Sequence, residues 1–138
     1  MRRVILLSLV ALVALAAAAY ALAGSPSQGM QAFALVDPNG GSPRLIDGHT
    51  NGFVGVSVGN AGQGDYCLAP APGVDVVNTA AVVSEEAFYS FDAGFPTVRY
   101  DPQHTNCTAK QLEVKTFVKA PDGTISLSNQ IAFTVNVP

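Results

Sequence analysis

The 138-residue sequence predicts an all-β fold, an antiparallel two-sheet β-sandwich or jelly-roll-like domain behind a cleaved signal peptide. Three observations predict it: apolar residues recur with period two, clusters of Gly, Pro, Asn and Asp punctuate the chain at short intervals, and no stretch beyond the leader carries a convincing amphipathic-helix period. Period two places alternate side chains on opposite faces of a strand, so each such run offers one dry face to a common core. Eight or nine short strands fit the pattern, and the helices that a parallel α/β fold needs between its strands are missing.

Residues 1–23 read as a signal peptide. Arg2 and Arg3 give the positive start, residues 4–19 are apolar apart from Ser8, and Ala21-Leu22-Ala23 ends on the small-x-small pattern that signal peptidase accepts. Cleavage there leaves Gly24 first and places the domain outside the cytoplasm, secreted or extracytoplasmic, touching the membrane only transiently. A retained anchor is the alternative, since a spanning helix needs roughly 20 apolar residues. Against it, the strongest apolar residues crowd into residues 4–15, and no Lys or Arg follows until Arg44. The Arg2-Arg3 pair lacks the rest of a twin-arginine motif, and no cysteine stands at the cleavage point to take a lipid. Residues 24–30, rich in Ser, Pro, Gln and Gly, form a flexible lead, and residues 31–138 a single β-sandwich domain.

Within the domain, Ala32-Phe33-Ala34-Leu35-Val36 is strand-like. It is closed by Asp37-Pro38-Asn39-Gly40-Gly41, where Pro presets the turn and Gly accepts positive φ. Arg44-Leu45-Ile46-Asp47 returns as its hairpin partner. Val54, Val56 and Val58 alternate with Gly55 and Ser57, which assigns those valines to a buried face. Asp65-Tyr66-Cys67-Leu68 follows a Gly-rich turn, and Ala69-Pro70-Ala71-Pro72-Gly73 breaks its pairing because proline cannot donate to a ladder. Residues 74–83 resume an apolar β-rich run. Ser84-Glu85-Glu86-Ala87 has the N-cap and first-turn acids of a short helical turn. Phe88-Tyr89-Ser90-Phe91 and Thr97-Val98-Arg99-Tyr100 read as two further strands.

The end of the chain carries the cleanest pattern. Leu112, Val114, Thr116 and Val118 alternate with Glu113, Lys115, Phe117 and Lys119; Pro121-Asp122-Gly123 turns; Ile131, Phe133, Val135 and Val137 alternate with Ala132, Thr134 and Asn136. This predicts a long antiparallel hairpin with one dry face. Ala32-Phe33-Ala34-x-Val36, Gly64-x-Tyr66-Cys67-Leu68, and Cys107 ahead of Gln111-Leu112-Glu113-Val114-Lys115-Thr116-Phe117, with Ser128-Asn129 and Phe133-x-Val135-x-Val137, together cover most of the domain. On these the chain resembles small exported all-β domains of actinobacterial and related bacterial proteins with no assigned function. The resemblance implies the fold and the cysteine bridge, and it transfers no functional residue.

Removing the leader leaves five basic residues against ten acidic ones, a formal charge of −5. An acidic, lysine-poor surface repels phosphate backbones and excludes nucleic acid as a partner class. Cys67 and Cys107 are the only cysteines, and an exported chain meets an oxidising compartment where such a pair closes. The loop of 40 residues gives a bridge worth roughly 4 kcal/mol in the chain-entropy account. Neither cysteine lies in a C-x-x-C pair or beside a basic residue that would hold a thiolate.

Catalytic patterns are scarce. Gly55-Val56-Ser57-Val58-Gly59 has the G-x-S-x-G spacing of a nucleophile elbow, but its alternating valines make Ser57 a strand residue and not the tip of a strand-to-helix turn. Glu85 and Glu86 are adjacent and diverge in either a strand or a helix. The Asp/Asn/Gly clusters at residues 37–40 and 60–65 lack the oxygen spacing of a calcium loop, and Asn106-Cys107-Thr108 matches a glycosylation acceptor incidentally. The two histidines fall in loop-like stretches, each near an acid, as Asp47-x-His49 and Asp101-x-x-His104. If the fold joined those loops they would make a divalent-metal site; the alternative is four solvated turn residues. Tyr66, Tyr89, Tyr100, Phe88, Phe91 and Phe95 concentrate aromatic surface in the middle third, for the core or for contact with a protein or carbohydrate. The expectation is a secreted, non-enzymatic structural or recognition module with no catalytic residue, no cofactor and no metal. The alternative is a secreted hydrolase or metal-dependent enzyme using His49, His104, Asp47 and Asp101.

Overall fold

In the computed structural model, which describes residues 29–99 and 104–138, the first apolar run forms β1 (Ala32–Asp37). The signal-peptide reading, residues 24–28 of the lead, and Tyr100 and Asp101 lie outside the described residues. β1 ends where Asp37 turns its carboxylate on its own loop. Oδ1 accepts the Asn39 N–H at 2.8 Å, and Oδ2 accepts Arg44 Nε at 2.9 Å and pairs with Nη2 at 2.8 Å. Gly40, at φ +64°, lets the chain reverse into β2 (Arg44–Asn51).

The remaining strands are β3 (Phe53–Val58), β4 (Asp65–Pro70), β5 (Val82–Glu86), β6 (Gly94–Arg99), β7 (Leu112–Lys119), β8 (Ile125–Leu127) and β9 (Ala132–Val137). They build two antiparallel sheets, ordered β2-β1-β9-β5 and β3-β4-β7-β6, with β8 pairing β7 in the second. The sheets enclose one core. β1 gives it Ala32, Ala34 and Val36, β4 gives Tyr66 and Leu68, β7 gives Leu112 and Val114, and β9 gives Phe133, Val135 and Val137. Tyr66 and Phe133 meet at its centre with ring centroids 5.4 Å apart. The sandwich predicted from period-two patterning is therefore the observed architecture, and the Cys67–Cys107 disulfide is closed.

Local expectations needed correction where pairing partners or side-chain caps intervened. The terminal runs both turn their dry faces inward as expected, but they are not a hairpin. β7 turns at residues 121–123 into the short β8, whereas β9 crosses to the other sheet and pairs β1 and β5. The crossing is fixed at Gly64, whose φ of +79° lets the backbone pass so close that a Cβ would lie 2.5 Å from the Ser128 N. In β3 the register slips between Phe53 and Gly55, so Val54 is bulged and 68 % exposed, and Val58 is exposed too; Val56 packs on the core as expected, and Phe53 joins it in place of Val54. β4 runs on through Pro70, which sits opposite Phe53 on the edge strand. Between residues 71 and 81 there is no strand, because the Asp75 carboxylate accepts the N–H groups of Val77 and Asn78 and coils the chain there. Ser84, Glu85 and Glu86 are extended in β5 rather than helical, and residues 87–89 form a turn, with β6 starting only at Gly94.

Candidate functional site

Two places carry polar or apolar groups where folding alone does not put them. The first is the corner between β5 and β6. After Glu86, its own carboxylate accepts the Tyr89 N–H at 2.8 Å and its carbonyl accepts the Ser90 hydroxyl at 2.6 Å. Ser90 Oγ in turn accepts the Ala132 N–H at 2.9 Å, and the Phe91 N–H donates to the Gln130 carbonyl at 2.7 Å. The backbone of the corner is thus fastened to β9 and its approach, while Phe88 and Phe91 project outward, 84 % and 70 % exposed. Phe95, 39 % exposed, stacks on Phe117 at 5.4 Å, and Phe117 lies opposite Leu127 on β8. Glu85 and Asp92 are exposed beside them. Of the five described aromatics that the sequence singled out, Tyr66 is core, Tyr89 is half-buried against Phe88, and the three phenylalanines are each exposed.

The second place is the outward face of the sheet formed by β4 and β7. Asp65 stands opposite Lys115 and Cys67 opposite Glu113, a block of four side chains on one face. An outward face is ordinarily wet. Here Cys107 is bridged to Cys67 and Asn106 bonds Glu113 at one end of the block, while residues 59–61 pack on Asp65 at the other; the Asp65 side chain is fully buried, Glu113 is 3 % exposed and Lys115 15 %. Lys115 Nζ lies 3.4 Å from Glu113 Oε1 and 3.9 Å from Asp65 Oδ1. Glu113 Oε1 also accepts Asn106 Nδ2 at 2.9 Å and faces Arg99 at 3.5 Å, while Asp65 Oδ2 accepts the Ala61 N–H at 3.1 Å. Asp65 Oδ1 and Glu113 Oε2 are buried without a hydrogen-bond partner. Burial pushes the Asp65 carboxyl above its ordinary range and Glu113 adds to the shift, against the pull of the Ala61 N–H and Lys115. Gly59 packs directly against this carboxylate, where any Cβ would collide with it.

Among the described residues the histidine site expected as an alternative is not assembled. Asp47 and His49 are exposed on β2 of one sheet, His104 is exposed ahead of β7 in the other, and Asp101 lies outside the described residues. Among the described residues no group of three or more His, Cys, Asp or Glu side chains is placed to hold a metal ion. A cleft of about 810 Å³ opens between residues 69–78 and 108–111. Its carboxylate, Asp75, is occupied by its own loop: the Asn78 side chain, with the N–H groups of Asn78 and Val77, holds that carboxyl below the usual range.

Sequence reading missed Asp65, Glu113 and Lys115. The signal available was Asp65-x-Cys67 and Glu113-x-Lys115, two i, i+2 pairs that must each share a strand face, one of them with a bridged cysteine. Comparison of the chain with family models, with curated proteins and with solved structures finds no match.

Proposed function

We propose that this chain is an exported, non-enzymatic recognition module acting at or outside the cell envelope, with the β5–β6 corner as its contact surface. The observation that carries the reading is the exposure of Phe88, Phe91 and Phe95 together on a backbone tied down by side-chain hydrogen bonds. Exposed aromatic groups oppose folding economy, and a rigid mounting lowers the entropy lost when they are covered. Glu85 and Asp92 give the patch an acidic rim that suits a partner with basic groups around an apolar centre. Export is supported by the leader-like residues 1–23 and by the closed disulfide. Among the described residues no helix is long and apolar enough to cross a membrane.

The test is retention of the purified protein on isolated cell-wall polysaccharide and on envelope proteins, compared with the Phe88→Ser/Phe91→Ser variant. Retention of the parent and loss in a variant of unchanged melting temperature is the expected result. Equal behaviour of the two proteins removes the corner from the proposal, and hydrolysis of an envelope substrate abolished by His49→Ala/His104→Ala replaces it with the enzymatic reading.

A further inference from the structure

The block on the outward face of β4 and β7 brings an amine, a carboxyl carbon and a second carboxylate together in a site screened from water. Lys115 and Asp65 are direct cross-strand partners, and Glu113 is one step along the same face. As a resting ion pair the arrangement is poor. The Lys115–Asp65 separation of 3.9 Å is beyond hydrogen-bond reach, and each carboxyl keeps one buried oxygen unpartnered. As a set of reactants it is well disposed: Asp65 offers a carboxyl with one unbonded oxygen to leave, Lys115 a nucleophile 85 % buried beside it, and Glu113 a proton acceptor 3.4 Å from that nitrogen.

We propose that Lys115 and Asp65 condense into an intramolecular amide, an isopeptide cross-link between β4 and β7, with Glu113 carrying the proton. Glu113 takes one proton from the Lys115 ammonium. The freed Nζ attacks Cγ of the neutral Asp65 carboxyl, forming the N–C bond. A second proton passes from nitrogen, by way of Glu113, to the Asp65 oxygen that departs, and the C–O bond breaks with release of one water. The products are the amide, the water and a protonated Glu113; charge and hydrogen count balance, and no oxidant, cofactor or second substrate is required. Holding the pair in place supplies the encounter that the two groups lack in solution, and burial favours the neutral acid over its anion. Asn106 and Arg99 fix Glu113 through Oε1, the oxygen that faces Lys115 Nζ, and Oε2, without a hydrogen-bond partner, is left to carry the proton of the neutral acid once the amide has formed.

The purified protein, thiol-reduced and denatured, is weighed intact by mass spectrometry and then digested. The expected mass is one water below that of its sequence, and the digest should yield a branched peptide joining Asp65 to Lys115. Lys115→Arg keeps the positive charge beside both carboxylates but presents no amine, so it should keep its full sequence mass while folded with the disulfide closed. Glu113→Gln should form the link on the order of 10²- to 10⁴-fold more slowly, the usual loss when an acid–base group is removed. A parent protein that retains its full mass after prolonged incubation overturns the proposal. So does a water loss mapped to Asp47 or Asp122, each followed by glycine and able to close a ring on its own backbone.

Discussion

Around Glu113 both faces of β7 are buried, by different means. Inward, Leu112, Val114 and Thr116 are covered by the opposite sheet, and no charge is among them. Outward, Glu113 is nearly as buried, but it is met there by Asn106, on a loop held by one disulfide, and its neighbours are Asp65, Lys115 and Arg99. Burial by a sheet is redundant, since many contacts share it; burial by a stapled loop depends on the staple. The inner face should therefore respond to changes of volume, and the outer face to changes of covalent connection.

The largest effect belongs to the inner face. Phe133→Ala removes the ring that meets Tyr66 and should cost roughly 3–5 kcal/mol in denaturant unfolding, whereas Thr134→Ala, on the opposite face of the same strand, should cost about 1 kcal/mol or less. Equal costs would break the assignment of faces. Next is Cys107→Ala, expected to cost roughly 2–4 kcal/mol through the lost loop constraint. Hydrogen exchange should show the extra opening confined to the backbone of residues 104–111 and its neighbours in β4 and β7. Uniform loosening of both sheets would mean that the outer face is not independently held.

A smaller effect comes from Tyr66, whose phenol burial pushes up to about 12 from 10 against the pull of the Thr116 side chain. The folded protein favours the neutral ring, so its contribution is intact below pH 10 and is lost as pH rises through about 12. That amounts to about 2–3 kcal/mol from a shift of this size. Tyr66→Phe should flatten that alkaline fall, as followed by unfolding at stepped pH. Least is expected at the corner, where Phe88→Ser/Phe91→Ser should change stability by about 0.5 kcal/mol or less, since both side chains are already in water. A large loss there would make the corner part of the core and not a contact surface.

Legibility in the sequence follows the same division. The dry faces of β7 and β9 could be read because alternation is a local property, and Phe133, Val135 and Leu112 sit where it puts them. Their partners could not, because adjacency in sequence suggested a hairpin while the Ser128 and Gly64 crossing sends β9 to the other sheet. Val54 misled for a reason of register, one bulged residue being enough to reverse its facing. Asp75 did so through a side-chain cap that competes with extension. The carboxylates were hidden most deeply: Asp65 and Glu113 come from strands far apart in sequence and lie on the face that alternation assigns to water, one covered by residues 59–61 and the other met by Asn106. Aromatic density in residues 88–95 was visible as composition, but whether it faced in or out was decided by Ser90 and Glu86.

The pairing of β1 with β9 also bears on how the domain carries load. Ala32 lies opposite Val137 in antiparallel register, the Gln31 N–H donates to the Val137 carbonyl at 2.8 Å, and Gln31 Nε2 reaches the Pro138 carbonyl at 2.8 Å. Tension applied through the backbone at Gln31 and Pro138 therefore pulls across the hydrogen bonds rather than along the strands, and meets them one rung at a time. Such a zipper opens at low force, and neither the Cys67–Cys107 bridge nor a link between Asp65 and Lys115 spans it. Drawn by its two ends, the domain should part first at β1 and β9, while the other sheet stays locked.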